Sequence, residues 1–178
     1  MTLGELAAFV CSHLKKKGME VVLSGGGCVS IYTTNRYQSY DLDFIQPVTN
    51  RKKVRDALSE LGFKEENRYF KHPESEFWVE FPPGPLAVGD EPVKEVVQRE
   101  FATGQLYLIS PTDCVKDRLA GFYHWEDRQC LEQAVLVAQN NKVDLDEIAR
   151  WSQHEKKERE FARVLPRFQQ AQAGKRIS

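Results

Sequence analysis

A chain of 178 residues, with 25 lysines and arginines against 26 aspartates and glutamates and 41% apolar residues, has the balance of one globular domain with a small appendage. The formal charge of −1 excludes a surface built throughout to grip nucleic acid, and no apolar run approaches the roughly 18 residues of a membrane span. The N-terminus lacks a basic-then-apolar signal pattern, so the cytosol is the expected location.

In chain order, Leu3, Leu6, Ala7, Val10 and Leu14 recur at helical spacing, with Thr2 and Glu5 placed for a capping box and Gly18 placed to end the helix. Val21 to Leu23 is a short strand running into the glycine turn Ser24-Gly25-Gly26-Gly27, and a second helix follows through Cys28, Val29, Ile31 and Tyr32. Tyr40 to Ile45 alternates polar and apolar residues, as a strand packed on one face does, and Pro47 closes it. Arg51 to Leu61 spaces Val54, Ala57, Leu58 and Leu61 as an amphipathic helix. Arg68 to Lys71 is a weaker strand candidate than Glu76 to Phe81, where Phe77, Val79 and Phe81 share one face and Glu76, Trp78 and Glu80 the other. Pro82-Pro83-Gly84-Pro85 stops that strand, a loop runs to about Asp90, and a short strand returns at Leu106 to Ile109.

From Ser110 the chain changes character, because Ser110, Pro111 and Asp113 make a helix start and helical patterns dominate thereafter. Helices are predicted over Pro111 to His124, over Asp127 to Ala138, and from Asp144, which forms a capping pair with Glu147. The charge run from Glu155 to Glu160 reads as a solvated helix face. The expected layout is an α/β core over residues 1–109, a helical region packed on it over 110–170, and a flexible tail over 171–178. Cys11, Cys28, Cys114 and Cys130 form no CxxC pair and no cysteine-histidine cluster, so they read as reduced, mostly buried thiols.

Asp41 and Asp43, two apart on a strand, project from the same face, where their oxygens can converge on one cation. Glu80 lies on another predicted strand and brings a third oxygen donor if the two strands are neighbours. Glu76 shares its face and remains the alternative, with Glu80 favoured because it ends the alternating segment. Three hard acids suit magnesium. Upstream, Ser24-Gly25-Gly26-Gly27 stands between strand and helix, where backbone amides and a helix N-terminus receive phosphate oxygens. Together they have the parts that phosphoryl or nucleotidyl transfer requires.

Leu23-Ser24-Gly25-Gly26-Gly27, followed after thirteen residues by Asp41-Leu42-Asp43-Phe44, resembles the signature of the DNA polymerase β-like nucleotidyltransferase superfamily. It is most similar to the small bacterial branch that includes abortive-infection type toxin nucleotidyltransferases, which carry an arginine and a Ser or Thr ahead of the acids, as Arg36 and Ser39 do here with one extra residue between. The likeness extends through Leu108 to Asp113, Arg118-Leu119-Ala120 and Asp127-Arg128, with Arg118 where a lysine is common. The resemblance implies a small mixed sheet of the nucleotidyltransferase type flanked by helices and followed by a helical bundle-like region. It implies two magnesium ions, replaceable by manganese, on Asp41, Asp43 and Glu80, and NTP phosphates on Ser24, Gly25, Gly26 and Gly27. Arg36, Ser39 and Arg118 would make further phosphate or base contacts, and an antitoxin-like protein partner is expected from the toxin branch.

Tyr123, His124 and Trp125 read either as a nucleobase wall or as core. Arg51, Lys52, Lys53 and Arg55, with Arg68, Lys71 and His72, would attract an RNA acceptor, although a wet helix face explains the first four as well. The expected activity is magnesium-dependent transfer of an NMP from an NTP to a hydroxyl of a small molecule, an RNA end or a protein. The alternative is a catalytically silent nucleotide-binding or interaction module that keeps the fold.

Overall fold

The structure, a computed structural model, describes residues 1–46 and 50–174. Helix α1 (Leu3–Lys16) starts at the expected capping box: Thr2 Oγ1 accepts from the Glu5 N–H at 3.3 Å and the Glu5 carboxylate accepts from the Thr2 N–H at 2.7 Å. Strand β1 (Val22–Ser24) leads directly into α2 (Gly25–Tyr32), so the three glycines form the first turn of the helix itself rather than a turn ahead of it. Gly25 makes that change of direction with a φ of +67°, a conformation that costs a glycine nothing in steric terms.

Next come β2 (Asp41–Ile45), α3 (Arg51–Glu60), β3 (Lys64–Glu66), β4 (Tyr69–Lys71), β5 (Trp78–Glu80), the paired β6 (Ala87–Val88) and β7 (Glu91–Pro92), β8 (Val96–Phe101) and β9 (Gly104–Ile109). Four helices complete the described chain: α4 (Pro111–Trp125), α5 (Arg128–Asn140), α6 (Leu145–His154) and α7 (Glu158–Ala173). Pro47, expected to close β2, lies outside the described residues, as do residues 175–178 of the expected tail. Helix α7 continues through Ala173, past residue 171 where that tail was expected to begin. The charged run from Glu155 does not sit on one continuous helix. Lys156 adopts a left-handed φ of 58°, and this break separates α6 from α7.

Among the described residues, seven strands form one mixed sheet in the order β3-β4-β5-β2-β1-β9-β8, with β6 and β7 apart from it. With helices flanking the sheet and four more following it, this is the expected mixed α+β class. Strand β2 pairs antiparallel with β1 and parallel with β5, which sets Ser24 opposite Asp43, Asp41 opposite Trp78, and Asp43 opposite Glu80. Leu42, Phe44 and Val79 are fully buried on the other face, so the carboxylates share the face turned away from that core.

Helix α1 lies against β9 and α3, while α4 and α5 pack on α2 and thereby carry the helical half to the sheet. The continuous core includes the fully buried Trp151 of α6, whose Nε1 donates to the Val88 carbonyl at 3.2 Å and so fastens the β6–β7 hairpin. Arg150 reinforces it through Glu91 at 2.9 Å. Lys116, only 3% exposed, is satisfied by Asp113 at 3.0 Å and Glu147 at 2.8 Å, an arrangement that ties α4 to α6. All four cysteines are free thiols; Cys11, Cys28 and Cys114 are buried and Cys130 is half-buried. Among the described residues no helix is long and apolar enough to cross a membrane.

Candidate functional site

Asp41, Asp43 and Glu80 line one cleft of about 460 Å³ with Ser24 and Gly25 at its floor. The sheet register alone explains the meeting of the acids, since Asp43 and Glu80 are direct partners on adjacent parallel strands. Glu76, the alternative third acid, lies outside β5 and lines a different cavity of about 520 Å³ together with Leu6, Phe9, Phe63 and His72.

Burial first, and then the charges of Asp41 and Glu80, push the Asp43 carboxyl up to about 7, with Asp117 adding to the rise and Arg118 opposing it. Asp41, Asp43, Glu80 and Asp117 line this cleft with Arg68 and Arg118 as its cationic side chains. Asp41 is steadied by Ser39, whose hydroxyl donates to Asp41 Oδ1 at 2.6 Å, and Ser39 is itself held through its N–H to the Ser30 hydroxyl at 2.7 Å. Glu80 Oε1 stands 3.3 Å from Arg68 Nε. Among the described residues, no three or more His, Cys, Asp or Glu side chains stand assembled as a metal site. Glu80 faces the cation of Arg68, and Asp41 accepts from Ser39. The chemistry of the donors nonetheless fits magnesium, which takes one or two carboxylates together with substrate phosphates rather than a cage built wholly of protein. Asp41 and Asp43, on one strand face, could supply that carboxylate pair.

The three glycines do three different things. A Cβ on Gly25 would lie 2.3 Å from Asp43 Oδ2, so only glycine allows the carboxylate to sit against the start of α2. Gly26 faces Ser39 and Tyr37. Gly27 is buried against Leu42 and Leu23, where it lets α2 close onto the sheet, and it does not line the cleft. Ser24 donates through its hydroxyl to the Asp43 carbonyl at 3.3 Å and leaves the α2 N-terminus without a side-chain cap.

Arg118 lines the cleft from α4. Its Nε donates to Asp117 at 3.0 Å and its Nη1 to Gln133 at 3.4 Å. Burial opposes its charge, but the ion pair and hydrogen bond with Asp117 outweigh that and hold its pKa above the ordinary value. Arg36 is placed elsewhere: it lines a groove with Arg167, Gln139 and Gln170, away from the acids. The loop between α2 and β2 sends Tyr37, not Arg36, toward the glycines. Tyr123 is core, stacked on Trp151 with ring centroids 5.9 Å apart, whereas Trp125 is 77% exposed. The basic set is largely neutralised in place, with Arg51 and Arg55 on Glu65, Lys52 on Asp56 and Lys71 on Glu66.

Two cleft residues escape sequence reasoning. Asp117 lies between Lys116 and Arg118 in a run that looks like a wet helix face, and Arg68 looks like one member of a basic set. The signal for Asp117 was its adjacency to Arg118; for Arg68 no local pattern existed, because its partner Glu80 is twelve residues away.

No protein-family model matches the chain, and no curated protein matches it. Solved structures do. An antigenic nucleotidyltransferase-like protein from Paracoccidioides brasiliensis superposes with a TM-score of 0.57 at 11% identity, over 76% of this chain and 75% of its own. ANT(2'')-Ia in complex with adenylyl-2''-tobramycin superposes with a TM-score of 0.50 at 14% identity, over 78% of this chain and 88% of its own. At such identities the likeness is one of architecture: the chain has the nucleotidyltransferase-like fold.

Proposed function

We propose that this protein is a nucleotidyltransferase that moves a nucleoside monophosphate from an NTP to an acceptor hydroxyl. The observation that carries the reading is the placement of Asp41 and Asp43 on one strand face, against Gly25 at the uncapped N-terminus of α2, in a single cleft. That a protein of this fold binds adenylyl-2''-tobramycin agrees with NMP transfer in general.

Asp41 and Asp43 would hold magnesium, with Glu80 beside them, and the ion when bound supplies charge neutralisation for the triphosphate and lowers the pKa of an attacking hydroxyl. The backbone amides from Gly25 onward, at the positive end of α2, receive phosphate oxygens, and Arg118 offers them the donors that Asp117 and Gln133 leave open. Pro82, Pro83 and Leu86 add apolar surface to the lining of the cleft. In-line attack by the acceptor oxygen on the α-phosphorus then forms the new P–O bond as the bond to pyrophosphate breaks, and the hydroxyl proton passes to a cleft carboxylate or to water.

The test is incubation of α-labelled NTPs with total RNA, protein and small alcohols. Label should pass to one acceptor class only with a divalent ion present, and Asp43→Asn should lower transfer by roughly a thousandfold. Triphosphate binding with transfer to no acceptor would favour the silent nucleotide-binding module.

A further inference from the structure

The geometry points to a different role for Glu80 than that of a third metal ligand: we propose that Glu80 anchors Arg68 as a triphosphate-binding side chain, so that the cleft takes its nucleotide with a single divalent ion on Asp41 and Asp43 and a guanidinium in place of a second ion. This inference rests on the nucleotidyltransferase reading and specifies how that site holds its substrate.

Arg68 is built into position. It follows Asn67, whose left-handed φ of 57° turns the chain between β3 and β4. Arg51, reaching over from α3, has its Nε on Glu65 at 2.8 Å and donates through Nη2 to the Asn67 and Arg68 carbonyls at 3.5 and 3.2 Å. The same guanidinium lies 5.2 Å from the centre of the Phe70 ring, so the tip of the β3–β4 hairpin is braced from beneath.

From that tip the Arg68 guanidinium sits 4.8 Å over the Tyr69 ring and donates through Nη2 to the Tyr69 hydroxyl. Tyr69 stands directly across from Glu80 in the sheet and edge-on to Trp78, 5.9 Å away. Nε faces Glu80 at 3.3 Å. One nitrogen is thus directed by the carboxylate and one by the phenol, while Nη1 has neither. The side chain lines the cleft and is 67% exposed, against 15% for Glu80. A guanidinium carries five N–H donors in a planar fork, and those left over match a phosphate's oxygens.

A second ion ligated by Glu80 beside Asp43 would stand next to the Arg68 guanidinium, with like charges at short range. The opposite wall repeats the device, since Asp117 orients Arg118 in the same manner. The cleft is therefore lined by two arginines, each beside its own carboxylate, and by Asp41 and Asp43, which make no ion pair among the described residues.

The test uses the full chain with Mn²⁺ and the non-hydrolysable α,β-methylene analogues of the four NTPs, reading bound Mn²⁺ by electron paramagnetic resonance and analogue affinity by calorimetry, with thermal melts as folding controls. A single tightly held Mn²⁺ per chain is expected in the wild type and in Glu80→Gln, and none in Asp43→Asn. Arg68→Ala should weaken the analogue about tenfold or more with the Mn²⁺ count unchanged. Glu80→Gln should weaken it less, and adding Glu80→Gln to Arg68→Ala should cost nothing further, since Glu80 acts through Arg68. A second Mn²⁺ that Glu80→Gln removes, or wild-type affinity in Arg68→Ala, would overturn this inference and leave the nucleotidyltransferase reading standing. Failure of every analogue to bind the wild type with Mn²⁺ would overturn both.

Discussion

Asp43 is held at a cost that pH can read out. Its carboxyl titrates near 7 in the folded chain against an unfolded value near 4, so the folded state binds the proton more tightly. The sign follows: the stabilisation is present in full below the unfolded value and is lost as pH rises through about 7. Asp43→Asn should therefore stabilise the metal-free protein at pH 8, by an amount on the order of 2–4 kcal/mol, and change it little near pH 4, as urea titrations at the two pH values would show. Gly25→Ala should fail in two ways at once, because its φ of +67° is strained for alanine and its methyl would displace Asp43. A loss of more than about 1 kcal/mol in denaturation, together with abolished nucleotide binding, is expected. At this scale much was legible. Period-two spacing exposed Asp41, Asp43 and Glu80, whereas nothing in three consecutive glycines distinguishes Gly25, which meets a carboxylate, from Gly27, which fills a gap in the core.

Elements were legible in proportion to how local their causes are. The capping residues Thr2, Ser110 and Asp144 each accept the backbone N–H three positions on, and each marks a helix that the sequence predicts. Strand β8 was hidden because Val96, Gln98 and Glu100 are exposed along an edge strand whose order comes from pairing with β9, not from an apolar face. The β6–β7 hairpin was hidden for a related reason, since it is held by Trp151 and Arg150 from a helix some sixty positions away. Its dependence on α6 is testable. Arg150→Met should leave Glu91 and Glu147 without that partner and raise amide exchange in the hairpin while α1 and β9 are unaffected. At the centre of the helical half, Lys116→Met should cost about 3–5 kcal/mol in urea denaturation, because the buried Asp113 loses the ammonium that compensates it, while Glu147 keeps Arg150 and Lys94.

For the molecule as a whole, the sheet supplies the acids and α2 supplies the amides, but the cleft is complete only when α4 and α5 dock on α2 and bring Asp117 and Arg118 to its rim. That docking joins residues far apart in the chain, so Arg118 was a candidate only through the family resemblance, and Asp117 was missed although it adjoins Arg118. The most direct measurement of the central claim is a thermal melt with each NTP, with and without magnesium, on the wild type and on Asp41→Asn/Asp43→Asn. A nucleotide at about a hundred times its dissociation constant should stabilise the wild type by about 2.7 kcal/mol only when the metal is present, and the double variant not at all. Equal stabilisation of both proteins, or of the wild type without metal, would contradict it.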